Sequence, residues 1–441
     1  MLQSETVRKY DTYKDSGIEW IGKIPQNWNV RKLFGLLKSI GSGTTPKGND
    51  SYYDGDIPWL NTGDLTDSYV NIIGKTVTDI AMTECSALKL FDKNSVVIAM
   101  YGATIGKLGI ITFPTTTNQA CCVMSCSKSL YNKYLFYVLY SARDYILTLS
   151  YGAGQPNISQ ETMKSFKLCC PDVVEQQKIA DYLDKKCGEI DKVVETEKSV
   201  IEKLKEYKQS IITEAVTKGL DKSVPLKDSS IEWIGKIPQH WEVRKLKKTI
   251  NLIADIDHYM PNTTDTGYSY LMTGDLKDIA SKIDFENCKH ISDSDYKDLS
   301  KKIHPVLDDV IFARYATIGT VCYVDIQKDF LVSYSCLTIR PNSEKLFGKF
   351  LYYYLISDTF KIEVSQYINS NTQSNVGLDS LQKVYMVLPN KTEQQQIAEY
   401  LDNKCSEIDK AIADKEQVIK KFTEYKKSLI YECVTGKRKV V

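Results

Sequence analysis

Glu-Gln-Gln-Lys-Ile-Ala-Asp-Tyr-Leu, residues 175 to 183, opens a stretch that continues to Thr217 without a proline and with a single glycine, Gly188. Its apolar residues recur at alternating steps of three and four, which is typical of a helix that packs against a partner helix. These residues are Leu183, Cys187, Ile190, Val194, Ile201, Leu204, Ile211 and Ala215. We therefore predict one long helix from Glu175 to Thr217, with an apolar stripe that needs a partner.

The chain contains a second copy of this stretch, which begins at Glu393, 218 positions after Glu175 (393 − 175). It reads Glu-Gln-Gln-Gln-Ile-Ala-Glu-Tyr-Leu and continues with the same apolar spacing. We predict that the two helices pair as an antiparallel coiled coil. The predicted pairing residues are Leu183, Ile190, Val194, Ile201 and Leu204 in the first helix and Leu401, Ile408, Ile412, Ile419 and Phe422 in the second.

A second pair of repeats precedes the helices. Asp15–Leu33 and Asp228–Leu246 differ at three positions only, so the chain carries an internal duplication. We predict two α/β (α+β) domains related by a pseudo-two-fold repeat, with similar flanks and divergent middles. The predicted parts are a first domain at 1–172, a long helix at 173–220, a second domain at 221–390, and a second long helix with a C-terminal tail at 391–441.

The bulk properties favour a folded intracellular protein. Its 441 residues suit two or three domains, and a hydrophobic content of 42% allows real cores. The net charge of +1 supplies no overall attraction to nucleic acid or anionic membrane. Because the start of the chain is polar and no long apolar run occurs, we expect a soluble, cytoplasmic protein. The twelve cysteines sit in apolar patterns, so we expect buried free thiols.

The sequence lacks the common catalytic signatures. Gly102–Leu108 resembles a phosphate-binding loop, but it has three residues between its glycines and a leucine where Ser or Thr is needed. No base-methylating Asn-Pro-Pro-Tyr motif occurs, and four histidines give no sign of a catalytic triad or metal site. We therefore expect a non-catalytic binding protein, with no metal and no cofactor of its own.

Three motifs together resemble a known family. They are the Asp-Ser-Gly-Ile-Glu-Trp-Ile-Gly-Lys-Ile-Pro start, the Glu-Gln-Gln-x-Ile-Ala-x-Tyr-Leu-Asp helix start, and the helix ends at Ile211–Thr217 and Leu429–Thr435. Their content and order resemble the specificity (S) subunits of type I restriction–modification systems. The resemblance implies two target-recognition domains, each of which reads half of a split sequence in double-stranded DNA.

The resemblance also implies the partners. The helices would set the spacing and dock two methylating (M) subunits, and the motor and nuclease (R) subunits would join beyond them. S-adenosylmethionine would belong to the M partner. The alternative function is that of a stand-alone sequence-specific DNA-binding protein, a repressor or an architectural protein, with the same fold.

Polar and basic residues of the divergent loops are the candidates for DNA contact. Arg, Asn and Gln suit base edges, whereas Lys and Thr suit phosphates. The alternative is that the glycine-flanked residues only shape turns. The candidates are Thr44, Thr45, Lys47, Tyr52, Lys107, Gln155 and Asn157 in the first half and Arg314, Tyr315, Gln373 and Asn375 in the second.

Overall fold

The computed structural model describes residues 8–150, 157–369 and 374–440. The chain forms two compact units of closely similar construction. The first comprises Met1–Glu197 with Gln417–Val441, and the second comprises Lys198–Glu416. Both long helices therefore contribute one end to each unit. None of the helices in the described part of the chain has the length and apolar character needed to cross a membrane.

The first unit is a mixed α/β globule. Its strands are β1 (Tyr13–Asp15), β2 (Lys23–Pro25), β3 (Asn29–Lys32), β4 (Leu37–Gly41), β5 (Tyr53–Leu60), β6 (Ser68–Val70), β7 (Thr76–Val77), β8 (Val96–Ala99), β9 (Leu108–Ile111), β10 (Thr116–Thr117), β11 (Cys121–Cys126) and β12 (Lys167–Cys170). Its helices are α1 (Asp79–Glu84), α2 (Asn132–Ser141), α3 (Arg143–Thr148), α4 (Gln160–Ser165) and the first part of α5 (Val173–Lys218).

The central sheet of the first unit has the order β4-β11-β8-β9-β6. All its neighbours are antiparallel except β6 and β9, which run parallel. A smaller sheet, β10-β5-β7, lies beside the glycine-rich loop at residues 41–48. Helix α2, which is aromatic and almost wholly buried, packs into the same core as β8 and β9.

The second unit repeats this plan. Its strands are β13 (Leu226–Asp228), β14 (Lys236–Pro238), β15 (Glu242–Lys245), β16 (Ile250–Ala254), β17 (Tyr268–Leu271), β18 (Lys289–Ile291), β19 (Val310–Ala313), β20 (Val321–Tyr323), β21 (Phe330–Val332), β22 (Cys336–Pro341), β23 (Ile368–Asn369), β24 (Asn375–Val376) and β25 (Tyr385–Leu388). Its helices are α6 (Asp293–Leu299), α7 (Gly348–Ile356), α8 (Asp358–Ser365), α9 (Leu378–Lys383) and the first part of α10 (Lys391–Val434). The main sheet has the order β16-β22-β19-β20.

The starts of the long helices follow from local sequence. Pro171 and Pro389 end the preceding extended segment, and each is followed by a side chain that caps a helix. The Asp172 carboxylate accepts a hydrogen bond from the Glu175 N–H at 2.8 Å. The Asn390 side chain does the same for Glu393 at 3.0 Å. The prediction of a helix over Glu175–Thr217 is confirmed, with α5 extending one or two residues beyond each end.

A buried glutamine fastens each long helix to its globule. Gln176 is 0% exposed. Its carbonyl oxygen accepts from the Tyr131 N–H at 2.8 Å, and its amide donates to the carbonyls of Ser129 at 3.2 Å and Pro171 at 2.9 Å. This one side chain therefore satisfies backbone groups in two segments, the loop that enters α2 and the turn before α5.

The second unit repeats the arrangement with Gln394. Its carbonyl oxygen accepts from the Phe347 N–H at 2.8 Å, and its amide donates to the carbonyls of Lys345 and Pro389, both at 2.9 Å. The first glutamine of the duplicated Glu-Gln-Gln motif is thus explained by a structural requirement, because no other neutral side chain of this length donates and accepts at once.

The preceding glutamates hold the duplicated tryptophans. The Trp28 indole N–H donates to Glu175 at 3.2 Å, and the Trp241 indole N–H donates to Glu393 at 3.4 Å. Both indole rings are completely buried. These two tryptophans are therefore packing anchors of the two cores.

The opposite ends of the long helices close the same cores. In the first unit, the Tyr134 hydroxyl donates to the carbonyl of Val434, near the end of α10. The next turn contains Gly436 at φ +71°, where a Cβ atom would lie 2.2 Å from Pro25. Glycine is required there because the backbone is left-handed and touches the ring of a proline.

The apolar stripes are buried mainly by the globules. In the first unit Leu183, Cys187 and Ile190 of α5 share a core with Leu429 and Cys433 of α10, and Val194 and Phe422 pack against its edge. In the second unit Leu401 of α10 is completely buried, and Ile408 and Ile201 are buried. The remaining predicted pairing residues, Leu204, Ile412 and Ile419, are partly exposed.

All twelve cysteines are free thiols, and nine are buried. Burial disfavours the thiolate and raises the pKa of Cys122 to about 12. The expectation of buried thiols is therefore confirmed for those nine, and Cys85, Cys126 and Cys288 are partly exposed.

We expect Gln176→Ala to lower the free energy of unfolding by about 3 kcal/mol, because it leaves several backbone groups buried without partners. The measurement is urea unfolding of the whole chain. The adjacent, exposed Gln177 provides a matched control, and Gln177→Ala should change stability by less than about 0.5 kcal/mol. Equal unfolding midpoints for the two variants would show that the buried amide does not fasten the helix.

Candidate nucleic-acid interface

In the first unit, the Asp67 carboxylate binds side chains in and beside the hairpin loop between β8 and β9. Asp67 accepts from Lys107 Nζ at 3.2 Å and also binds the Arg143 guanidinium. Arg143 donates in addition to the Gly106 carbonyl at 2.9 Å. The Lys107 side chain remains 45% exposed, so its ammonium group can reach a phosphate even though it pairs with Asp67. Sequence reasoning missed Asp67 and Arg143, which lie far apart in the chain.

A second loop meets this hairpin. Asn157 forms an isolated antiparallel bridge with Tyr101, and the Ile158 N–H donates to the Met100 carbonyl at 2.7 Å. Two residues further on, the Gln160 amide donates to the Ser42 hydroxyl at 2.9 Å. The hairpin, the loop around Asn157 and the glycine-rich loop therefore converge at one end of the sheet.

The glycine-rich loop is pressed against strand β10. The Gly43 N–H donates to the Thr117 hydroxyl at 2.9 Å, and a Cβ atom on Gly43 would lie 1.9 Å from the Thr117 carbonyl oxygen. The Trp59 indole donates to the Thr44 carbonyl at 3.1 Å. Position 43 therefore requires glycine, because a side chain would prevent this close approach. The hydrogen bond from Trp59 fixes the backbone at Thr44.

The candidate side chains of this loop differ in their surroundings. The Thr45 hydroxyl donates to Gln119 Oε1 at 2.7 Å. Lys47 is exposed, as a phosphate contact requires. The Tyr52 hydroxyl donates to Glu84 at 2.6 Å, which holds its ring near α1.

The second unit joins its loops in the same way. Tyr315 forms an isolated antiparallel bridge with Asn375, and the Val376 N–H donates to the Arg314 carbonyl at 3.1 Å. The Arg314 guanidinium lies 4.9 Å from the centre of the Tyr315 ring. Three of the four candidates in this half are therefore adjacent in space.

Arg314 itself is only 7% exposed. Its guanidinium forms an ion pair with Asp255 and donates to the Tyr334 carbonyl at 3.2 Å. This environment suits a residue that positions its neighbours, and a direct base contact by Arg314 stays a prediction. The more exposed groups beside it are the Lys302 ammonium and the His258 imidazole, both of which sequence reasoning missed.

Asp255 is the centre of this cluster. It accepts from Lys302 Nζ at 3.0 Å and lies 3.0 Å from His258 Nε2, in addition to its pair with Arg314. Burial by itself raises the pKa of the Asp255 carboxyl, but Lys302, His258 and Arg314 outweigh burial and lower it. Asp255 and His258 could have been found in the sequence by their Asp-x-x-His spacing, which occurs in a stretch of the second half that has no counterpart in the first.

Gln155 and Gln373 lie outside the described residues, so the structure does not bear on them. The remaining candidates lie on a few loops in each unit, which combine hydroxyl, amide, aromatic and cationic side chains. Such a mixture can hydrogen bond to base edges and neutralise phosphates. Among the described residues no cluster of His, Cys, Asp or Glu could hold a metal ion.

Comparison with known proteins identifies relatives of similar sequence, one of them matched along almost the whole chain. The specificity subunit of the type I restriction enzyme MjaVIII from Methanocaldococcus jannaschii is 25% identical over 424 residues, covering 95% of this chain and 94% of that protein. The EcoR124I/EcoR124II specificity subunit from Escherichia coli is 26% identical over 180 residues, which are 40% of this chain and 42% of that protein.

Two solved structures share the fold. A chain from a study of complex assembly and conformational transition of the type I R-M system superimposes with a TM-score of 0.73, at 14% identity, over 93% of this chain and 98% of that chain. The HsdS subunit from Thermoanaerobacter tengcongensis gives a TM-score of 0.52, at 14% identity, over 94% and 98%.

The family described as "Type I restriction modification DNA specificity domain" matches this sequence twice, over residues 25–206 and 238–421. Each match covers one globule and most of the long helix that follows it. With both halves matched in the order of the duplication, this chain belongs to the family of type I restriction–modification DNA specificity proteins.

Proposed function

We propose that this chain is the DNA-specificity subunit of a type I restriction–modification complex, in which each unit reads one half of a bipartite target in double-stranded DNA. The observation that carries the proposal is the repeated loop junction, Tyr101 with Asn157 and Tyr315 with Asn375. The bridge joins a tyrosine to an asparagine in both units, whereas the residue before the tyrosine is Met100 in the first unit and Arg314 in the second. Two readers of one shape and different chemistry suit a target whose halves have unrelated sequences.

In this proposal the DNA contacts come from the converging loops. Lys47 and Lys107 neutralise phosphates in the first half, and the amides and hydroxyls beside them read base edges. The proposed contacts are Thr44, Thr45, Lys47, Tyr52, Lys107, Gln155 and Asn157 in the first domain and Arg314, Tyr315, Gln373 and Asn375 in the second.

The long helices are proposed to pair antiparallel and to set the distance between the readers. An ion pair within each unit supports this arrangement. Asp191 of α5 binds Lys426 of α10 at 2.7 Å, and Asp409 of α10 binds Lys208 of α5 at 2.6 Å. In both, an aspartate from the first half of one helix meets a lysine from the second half of the other, as a pseudo-two-fold antiparallel pair requires.

This proposal divides the chain into four parts, which are recognition domains at 1–172 and 221–390 and helical segments at 173–220 and 391–441. We propose that the helical segments dock two methylating subunits, that R subunits join beyond them, and that S-adenosylmethionine is bound by the methylating partner. The chain itself would contribute recognition only. A stand-alone repressor or architectural protein is not favoured by the family match.

Exchange of residues 33–171 for the equivalent segment of a related subunit should change one half of the DNA target only. The second half and the spacing should persist, because the second globule and the helices are untouched. The measurement is the pattern of methylated positions in DNA modified by the reassembled complex. If both halves change together, the globules read DNA jointly and the two-reader proposal fails.

Insertion of one heptad between Glu197 and Lys198 should lengthen the spacing between the two half-targets and leave both half-sequences intact, because seven residues preserve the phase of the apolar stripe. The same methylation readout applies. A seven-residue Gly/Ser insertion after Lys439, outside α10, serves as the length-matched control and should leave the spacing unchanged. Unchanged spacing in both variants would exclude the helices as the ruler.

A further inference from the structure

The central strands of the two units are in the same register. In the first unit Ala99 of β8 pairs with Cys121 of β11, and in the second Ala313 of β19 pairs with Cys336 of β22. The third strand agrees: Gly41 pairs two residues further along β11, and Ala254 pairs two residues further along β22. Positions within these strands are therefore structurally equivalent, and positions just beyond the strand ends are compared by the same count.

Two loop positions that differ in chemistry are equivalent by this count. Thr45 follows Gly41 by four residues, as His258 follows Ala254 by four. Gln119 precedes Cys121 by two residues, as Tyr334 precedes Cys336 by two. The sequences around these positions show no similarity, so only the strand register relates them.

The equivalent positions are in direct contact in each unit. In the first, the Thr45 hydroxyl donates to Gln119 Oε1 at 2.7 Å. In the second, the His258 and Tyr334 rings stack, with centroids 4.9 Å apart and planes 25° apart. The same two positions are thus in contact in both units, through a hydrogen bond in the first and through ring stacking in the second.

A third equivalent position is identical in the two units. Tyr101 follows Ala99 by two residues and Tyr315 follows Ala313 by two, and both tyrosines form the loop bridge to an asparagine. A residue that is the same in both readers cannot distinguish their targets. It supplies a common platform, and the discrimination must come from the neighbouring positions that differ.

We propose that the contact pair at these positions, Thr45–Gln119 in the first unit and His258–Tyr334 in the second, distinguishes the two half-targets by contacting base edges. This inference rests on the proposed function, because it assigns specificity within the same interface. Gln119 and His258 are the members that reach outward, since Gln119 is exposed and the His258 side chain is 58% exposed.

The two pairs offer different recognition chemistry. With its Oε1 engaged by Thr45, Gln119 can donate only through its amide, which also hydrogen bonds to Tyr101 and suits acceptors such as purine N7. His258 Nε2 lies against Asp255, so its other ring nitrogen faces away from that carboxylate. Asp255 is a positioning residue in this arrangement, and the stacked Tyr334 ring fixes the plane of the imidazole.

The test exchanges the pairs within the full chain, reassembled with its methylating partner. The variants are Thr45→His with Gln119→Tyr in the first unit and His258→Thr with Tyr334→Gln in the second. Each should alter only its own half of the methylated motif in a randomised double-stranded DNA library. Methylation of the original target should fall about 10- to 100-fold, as expected for loss of one base-pair contact.

Because Tyr334 is partly buried, its exchange can disrupt folding. Two single variants are therefore measured as well. Gln119→Ala and His258→Gln change exposed side chains and should relax the sequence at their own half, with the other half as an internal control. An unchanged motif, with methylation of the original target within about threefold in both single variants, would overturn the assignment of these pairs. If the unmodified chain directs methylation to no bipartite motif, the proposed function itself fails, which is a separate outcome.

Discussion

The structure depends on two buried glutamine amides, Gln176 and Gln394, at the starts of the long helices. A helix start and an adjacent loop both present backbone groups that need partners once water is excluded. Each amide satisfies the loop that enters the aromatic helix of its globule and the turn before its own helix. The globule and the long helix are therefore fixed to one another by hydrogen bonds as well as by apolar packing.

This fixed frame permits divergence of the loops. One residue after the paired alanines, the first unit has Met100 and the second has Arg314, and both are buried. One residue after the end of the neighbouring strand, the first unit has Ser42 and the second has Asp255. A buried guanidinium needs a counter-charge, so the two positions differ together. The second reader gains a charged cluster at its loops while the strands beneath keep their register.

Comparison of the two units also shows that the exposure of a charged side chain could not be predicted from the sequence. Arg314 was recognisable as a candidate because arginine suits base edges. Its burial could not be predicted, because Asp255 lies 59 positions away in a stretch without a counterpart. The surroundings of Lys107 were equally hard to predict, because Asp67 and Arg143, which lie beside its loop, are distant from it in sequence. Exposure of a charged side chain depends on partners that are distant in sequence.

The sequence by itself determined the duplication, the long helices and the family, since each of these is encoded locally, in periodicity, caps and repeated motifs. Only the tertiary structure decided which loops meet. Strand pairing brings Tyr101 to Asn157 and His258 to Tyr334 across long separations. The register that makes Thr45 equivalent to His258 is set by hydrogen bonds between strands, and no local pattern in either stretch specifies it.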